Sequence, residues 1–197
     1  MTAVRKGMRD LILTLRGMTN AGTADYTIGL TTYWNDGHLQ DTLDRYCTVV
    51  RDEEITPFAA LNSGGSISYY DYQSRNRFFE STSEGTARFV IRDSTGTVKA
   101  STDWSADYER GLITFTTDTA GAAYLLSGYS YDVYAAASDV WYQKAAHAGE
   151  MIDFSTDNHN IKRSHIVATA LKMARRYENM SSTTIYSSAV VERGDYQ

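Results

Sequence analysis

The chain has 197 residues, 42% hydrophobic and 22% charged, with a formal net charge of −5. A chain of this length buries roughly 70% of the surface its unfolded form exposes, so one sizeable core is expected. The acidic balance argues against tight nonspecific nucleic-acid binding by the whole surface, which needs positive charge to displace counterions; it leaves room for a local basic stripe. Cys47 is the only cysteine, so no intrachain disulfide is available. It reads as a small core hydrophobe on a helix, in a chain suited to a reducing compartment. Arg5, Lys6, Arg9, Asp10 and Arg16 break up the first apolar residues, so neither a signal peptide nor a membrane span is expected.

Val4, Met8, Leu11, Ile12 and Leu15 recur at spacings of three and four and predict a first amphipathic helix, ended by Gly17, Asn20 and Gly22. Tyr26 and Ile28 suggest a brief extended piece. Asn35 or Asp36 can cap a second helix with the buried stripe Leu39, Leu43, Tyr46 and Cys47. His38, Asp36, Asp41 and Asp44 belong to its wet side.

From Glu54 the period changes to two. Pro57, the single proline, predicts a strand that starts, breaks or lies at an edge there. Strands are expected over 66–72, 77–80, 87–92 and 112–116, near Val98, and from Ala123 through Ser130. Turns fall at 62–66, 93–96, 108–111 and 118–121. Short, closely spaced, hydroxyl-rich strands predict an antiparallel sheet or small barrel.

Asp132 or Ser138 can cap a third helix, with Val133, Ala137, Trp141, Ala145 and Ala148 on one face and Ile152 continuing it. A polar connection from Phe154 leads to a fourth, capped by Ser164, with the stripe Ile166, Ala170, Met173 and Tyr177. After Met180 the chain is rich in Ser and Thr and then β-prone, which suits an extended arm that adds to a neighbour. The fold class predicted is α+β: a small bundle of about four helices, an inserted antiparallel β subdomain and an extended C-terminal arm. The corresponding divisions are 1–52 and 131–180 for the helical core, 53–130 for the insertion and 181–197 for the arm.

Catalytic patterns are weak. Asp153, Asp157, His159 and His165 follow no zinc or calcium spacing. His147 and Glu150 sit three apart on a helix and suit a pair better than a dyad. The 62–66 turn lacks the Lys-Ser/Thr of a phosphate loop, and no serine has a nucleophile-elbow context. No enzyme, metal or cofactor is expected. Basic residues concentrate at Lys162, Arg163, Lys172, Arg175 and Arg176, while Arg75 and Arg77 lie among Tyr69, Tyr70, Tyr72, Phe78 and Phe79. Contact with passing DNA is the more credible use, and base stacking the less credible. The 15 tyrosines and three tryptophans exceed what sheet packing alone asks for and favour protein interfaces.

Three blocks carry a family resemblance: ADYTIGLTTYWNDGHLQDTLDRY at 24–46, SYDVYAAASDVWYQKAA at 130–146, and FSTDNHN at 154–160 followed by RSH at 163–165 and LKMARRY at 171–177. The chain resembles the head–tail adaptor, or head-completion, proteins of tailed bacteriophages. That resemblance implies a ring, usually of twelve copies, beneath the portal protein at the capsid vertex, in the neck of the virion after assembly in the host cytoplasm. The ring would extend the channel for genomic double-stranded DNA, without sequence readout, and dock a head-closure, stopper or tail-completion protein. It implies a portal- or neighbour-binding arm carrying Thr183, Thr184, Ile185, Tyr186, Val190, Val191 and Tyr196. Trp34, Leu39, Leu43, Trp141, Ala145, Phe154, Met173 and Tyr177 would be scaffold. The channel-facing set is open between Lys162, Arg163, Lys172, Arg175 and Arg176 on one side and the Asp36, Asp41 and Asp44 set on the other. A tail-tube or tail-completion protein and a host-directed binding protein are the alternatives.

Overall fold

The structure, a computed structural model, describes residues 3–61, 65–81, 88–150, 154–156, 159–161 and 163–181, without the side chains of 154–156, 159–161 and 163. A 3₁₀ turn at Lys6–Met8 leads into α1 (Arg9–Thr19), which buries Leu11, Ile12 and Leu15. Val4 is exposed instead, because it precedes the turn and does not share the helix phase. Asn20 closes α1 in the left-handed region at φ 49°. The hairpin β1 (Tyr26–Ile28) and β2 (Thr31–Tyr33) follows, then α2 (Asp36–Asp44). Asn35 Oδ1 accepts from His38 N at 2.8 Å and so caps α2.

Six strands come next: β3 (Cys47–Leu61), β4 (Ile67–Gln73), β5 (Phe89–Asp93), β6 (Trp104–Asp107), β7 (Leu112–Phe115) and β8 (Tyr124–Tyr131). Their order is β5-β8-β3-β4-β7-β6, antiparallel throughout, in a sheet curled into a half-barrel. Then come α3 (Val133–Gly149), the pair β9 (Phe154–Thr156) and β10 (His159–Ile161), and α4 (Arg163–Met180). Asp132 Oδ1 accepts from Ala135 N at 2.9 Å to cap α3, whereas Ser138 is buried within the helix. The fold is therefore α+β, four helices with an antiparallel sheet. The expected arm lies outside the described residues.

Pro57 finds its place through a change of partner. β3 pairs with β8 up to Ile55 and with β4 from Thr56, and Pro57 lies opposite Tyr72. It is thus past the β8 ladder, so its missing N–H forfeits no bond on that side. Cys47 opens β3 and is not helical as expected, since α2 ends at Asp44. The stretch 77–80 is not a regular strand. It carries one isolated bridge, Phe79 to Ser130, and laces β8 to the turn before β7 through Phe79 N to Tyr108 O and Glu80 N to Tyr129 O, both 2.9 Å. β6 escaped the sequence reading, because Trp-Ser-Ala-Asp is too short to show a period.

Two cores result. Met8, Leu15, Trp34, Leu39, Leu43, Val133 and Val140 fill the helical one; Ile55, Tyr72, Ile91, Ile113 and Leu126 fill the half-barrel. Phe78 points into the first and Phe79 into the second. α4 packs on α3 through buried Ala170 and Ala174. Ile166, expected in that seam, is exposed, and Val167 and Leu171 are half-buried in its stead.

Candidate functional site

Where the cores meet, Glu80 is fully buried. Its Oε1 accepts from Arg5 Nε at 2.9 Å and its Oε2 from the Tyr131 hydroxyl at 2.7 Å. Arg88 Nε stands 3.9 Å away. The Arg5 guanidinium also forks onto Asp44 at 2.9 and 2.5 Å, and the Arg5 N–H donates to Gln40 Oε1 at 2.7 Å. One arginine thus ties the N-terminal segment to α2, β8 and the 77–81 crossing. The Asp44 hydrogen bond pushes the Arg5 pKa up further. Burial, with the Glu80 hydrogen bond, pushes the Tyr131 phenol far above its ordinary value. Gly7 completes the joint: a Cβ there would collide with Ser81 O. This is a strut, since all its charges are occupied by one another. Asp44 and Asp36, expected on the wet side of α2, hold Arg5 and Arg16.

A second cluster pins α1 and the β1–β2 hairpin to α3. Lys144 Nζ donates to Thr19 O at 2.8 Å and Asn20 O at 3.1 Å, and Trp141 Nε1 to Met18 O at 3.2 Å. α3 thereby supplies the donors that the last carbonyls of α1 lack. Burial lowers the Lys144 pKa. The His147 ring stacks on Tyr26 at 3.7 Å, and Tyr26 stacks on Tyr33 at 4.7 Å. His147 is therefore a packing residue beside the hairpin. His38 does not face solvent as expected: it is half-buried beside Tyr33 and Trp34, and burial lowers its pKa.

Between the end of α2, the start of β3, the 75–78 segment and the start of α3 lies a cleft of about 530 Å³. Arg45, Arg75 and Arg77 line it over Phe78 and Tyr134, and Met180 borders it. Arg45 is held by Asp139 at 2.9 Å. Arg77 lies over the Phe78 ring at 5.4 Å. The guanidinium groups of Arg75 and Arg77 meet no carboxylate among the described residues. Cys47 also lines the cleft, its thiol pKa raised by burial.

Of the residues singled out from sequence, Trp34, Leu39 and Leu43 are fully buried and Ala145 nearly so. Trp141, Met173 and Tyr177 are half-buried, Tyr177 against the helical core. Phe154 lies in β9, its side chain outside the described residues. Lys172, Arg175 and Arg176 are exposed on α4; Arg163 begins that helix. Lys162 and all of Thr183, Thr184, Ile185, Tyr186, Val190, Val191 and Tyr196 lie outside the described residues, as do Asp153 and Asp157. The sequence reading missed the Arg5–Glu80–Tyr131 strut. Its one signal was an acidic residue directly after the paired Phe78 and Phe79.

Among the described residues no group of three His, Cys, Asp or Glu is placed to hold a metal ion, and no helix is long and apolar enough to cross a membrane. No family model, curated protein or solved structure matches this chain.

Proposed function

We propose that the protein is a structural ring component, a head–tail adaptor of a tailed phage that binds the portal protein and docks the next neck or tail protein. The observation that carries this reading is a pair of separate apolar patches. Leu30, at 99% exposure, and Ile28 project from the β1–β2 hairpin, while Phe58, Leu61 and Ile67 are exposed at the far end of β3 and β4. The hairpin packs on the helical core through Tyr26 and Tyr33, whereas the second patch lies at the far end of the 15-residue β3. A closed ring needs such an arrangement, because one surface of each subunit meets a different surface of the next. α4 adds a face turned away from α3, bearing Lys172, Arg175 and Arg176, which suits a channel wall or a partner's acidic surface. Many weak subunit contacts made at once then give avidity for a portal ring.

The test is sedimentation with negative-stain imaging of the protein alone and mixed with the portal protein of the same genome. A stoichiometric ring added to one portal face is expected, and removal of 183–197 is expected to abolish it. A ring that persists without 183–197 keeps the adaptor and removes the arm's role. No association, together with absence from purified particles, defeats the reading in favour of a host-directed binder.

A further inference from the structure

We infer that the free edge of β3 over residues 47–51 docks an extended acidic segment of a partner protein, which adds to the sheet as a strand and sets its carboxylates against Arg75 and Arg77. β3 pairs with β4 only from Thr56 onward. Before that residue no strand lies on that side of β3 among the described residues. The chain leaves β4 at Gln73 and crosses to the far side of β8, where Phe79 bridges Ser130. The vacated lane leaves backbone groups of β3 unpaired. Tyr129 O accepts from Glu80 N at 2.9 Å and Tyr131 N donates to Phe78 O at 3.0 Å, so both residues turn their backbone groups away from β3. Their opposites in the ladder, Val49 and Cys47, turn theirs away from β8 and into the lane. Thr48, Val49 and Arg51 are exposed there.

Charge decides what the edge accepts. Arg45, Arg75 and Arg77 line the cleft beside Thr48. Arg45 is held by Asp139 at 2.9 Å, whereas the exposed Arg75 and Arg77 meet no carboxylate among the described residues. Arg75 N donates to Glu53 Oε1 at 2.5 Å, which anchors on β3 the segment that carries both arginines. A second copy pairing through the same edge would bring its own arginines against these, and like charges repel. An acidic segment meets attraction instead, with main-chain bonds supplying affinity and side chains supplying selectivity. Its pattern follows from the alternation of a strand. Thr48 lines the cleft, and Val49 points to the opposite face, where it is 49% exposed. The segment therefore carries acidic residues at the positions facing the cleft and apolar residues opposite Val49. This docking is independent of the ring reading and is tested without the portal protein.

The experiment measures the fluorescence anisotropy of a short labelled peptide, alternating glutamate and valine, titrated with the full-length chain at low salt. Binding with a Kd below about 1 mM is expected, the range of a few weak contacts made together. Lysine in place of glutamate is expected to weaken binding about tenfold or more, as is N-methylation of the valines, whose N–H groups bond β3. The double variant Arg75→Glu/Arg77→Glu, at two exposed positions, is expected to weaken the glutamate peptide about tenfold with an unchanged far-UV circular dichroism spectrum. Should that variant fail to fold, the three peptides on the wild-type chain decide alone. Absence of binding, equal binding of the glutamate and lysine peptides, or equal binding of the N-methylated peptide overturns the inference. Self-association of the chain that the glutamate peptide dissolves assigns the edge to a second copy and overturns the choice of occupant.

Discussion

Replacing Glu80 with Gln tests the strut at its most buried atom. The carboxylate accepts at one oxygen from Arg5 and at the other from Tyr131, and the side chain is fully buried. A neutral amide has one oxygen, so its NH₂ must face either the guanidinium or the hydroxyl. If it faces Arg5, two donors confront each other. If it faces the hydroxyl, Tyr131 must turn its own proton away. A buried donor left unsatisfied costs about 1–3 kcal/mol. Breaking a buried ion pair outright costs about 3–5 kcal/mol. Arg5, however, keeps Asp44 and its side chain is 25% exposed, so water and the second carboxylate absorb part of the loss. The expected destabilisation is thus about 2 kcal/mol. With a urea slope near 2 kcal/mol/M, this lowers the unfolding midpoint by about 1 M. Tyr131→Phe alone should cost about 1–2 kcal/mol, and the double variant should fall short of the summed costs by about 1 kcal/mol, because both changes remove one shared contact. A Glu80→Gln midpoint within about 0.2 M of wild type, or strict additivity, refutes the reasoning.

Two further outcomes follow from the helical cluster and the tyrosines. Lys144→Met keeps most of the packing volume but removes the donor to the last carbonyls of α1; a loss of about 1–2 kcal/mol is expected in chemical denaturation, with no change in far-UV circular dichroism at neutral pH. Tyr26, Tyr46, Tyr72, Tyr124 and Tyr131 all have raised phenol pKa values, burial being the largest cause in each. The folded chain then holds tyrosine protons that the unfolded chain releases near pH 10, so what these tyrosines contribute to stability is constant below that range and falls as pH rises through and beyond it. Absorbance titration should show several native tyrosines ionising at higher pH than in urea; coincident curves would sink this expectation.

Much of the architecture was legible because it rests on local chemistry. Asn35 and Asp132 sit where a helix needs an acceptor, and both cap as their positions suggest. The switch of period after Glu54 announced the sheet, whereas Pro57, expected where a strand starts, breaks or lies at an edge, sits inside a continuous β3 just past its ladder with β8. The functional surfaces were less legible because they join distant residues. Arg5 and Glu80 are 75 positions apart, and no periodicity signals such a pair. Arg75 and Arg77 stood out as basic residues among aromatics, but the cleft they line also needs Arg45, just past the end of α2, and Tyr134 from α3. Cys47 misled in the other direction: it keeps the spacing of the α2 stripe by coincidence, while the helix has already ended at Asp44.

The strut also bears on how the two cores depend on each other. Phe78 belongs to the helical core and Phe79 to the half-barrel, so the same crossing closes both. Its position is set by Glu80, which the N-terminal segment holds through Arg5 and β8 holds through Tyr131. Tyr131 itself borders the helical core, and β8 passes from it without interruption into the half-barrel, where Leu126 is fully buried. Releasing the N-terminal segment would therefore leave Glu80 with only Tyr131 and the more distant Arg88 and loosen the wall shared by both cores.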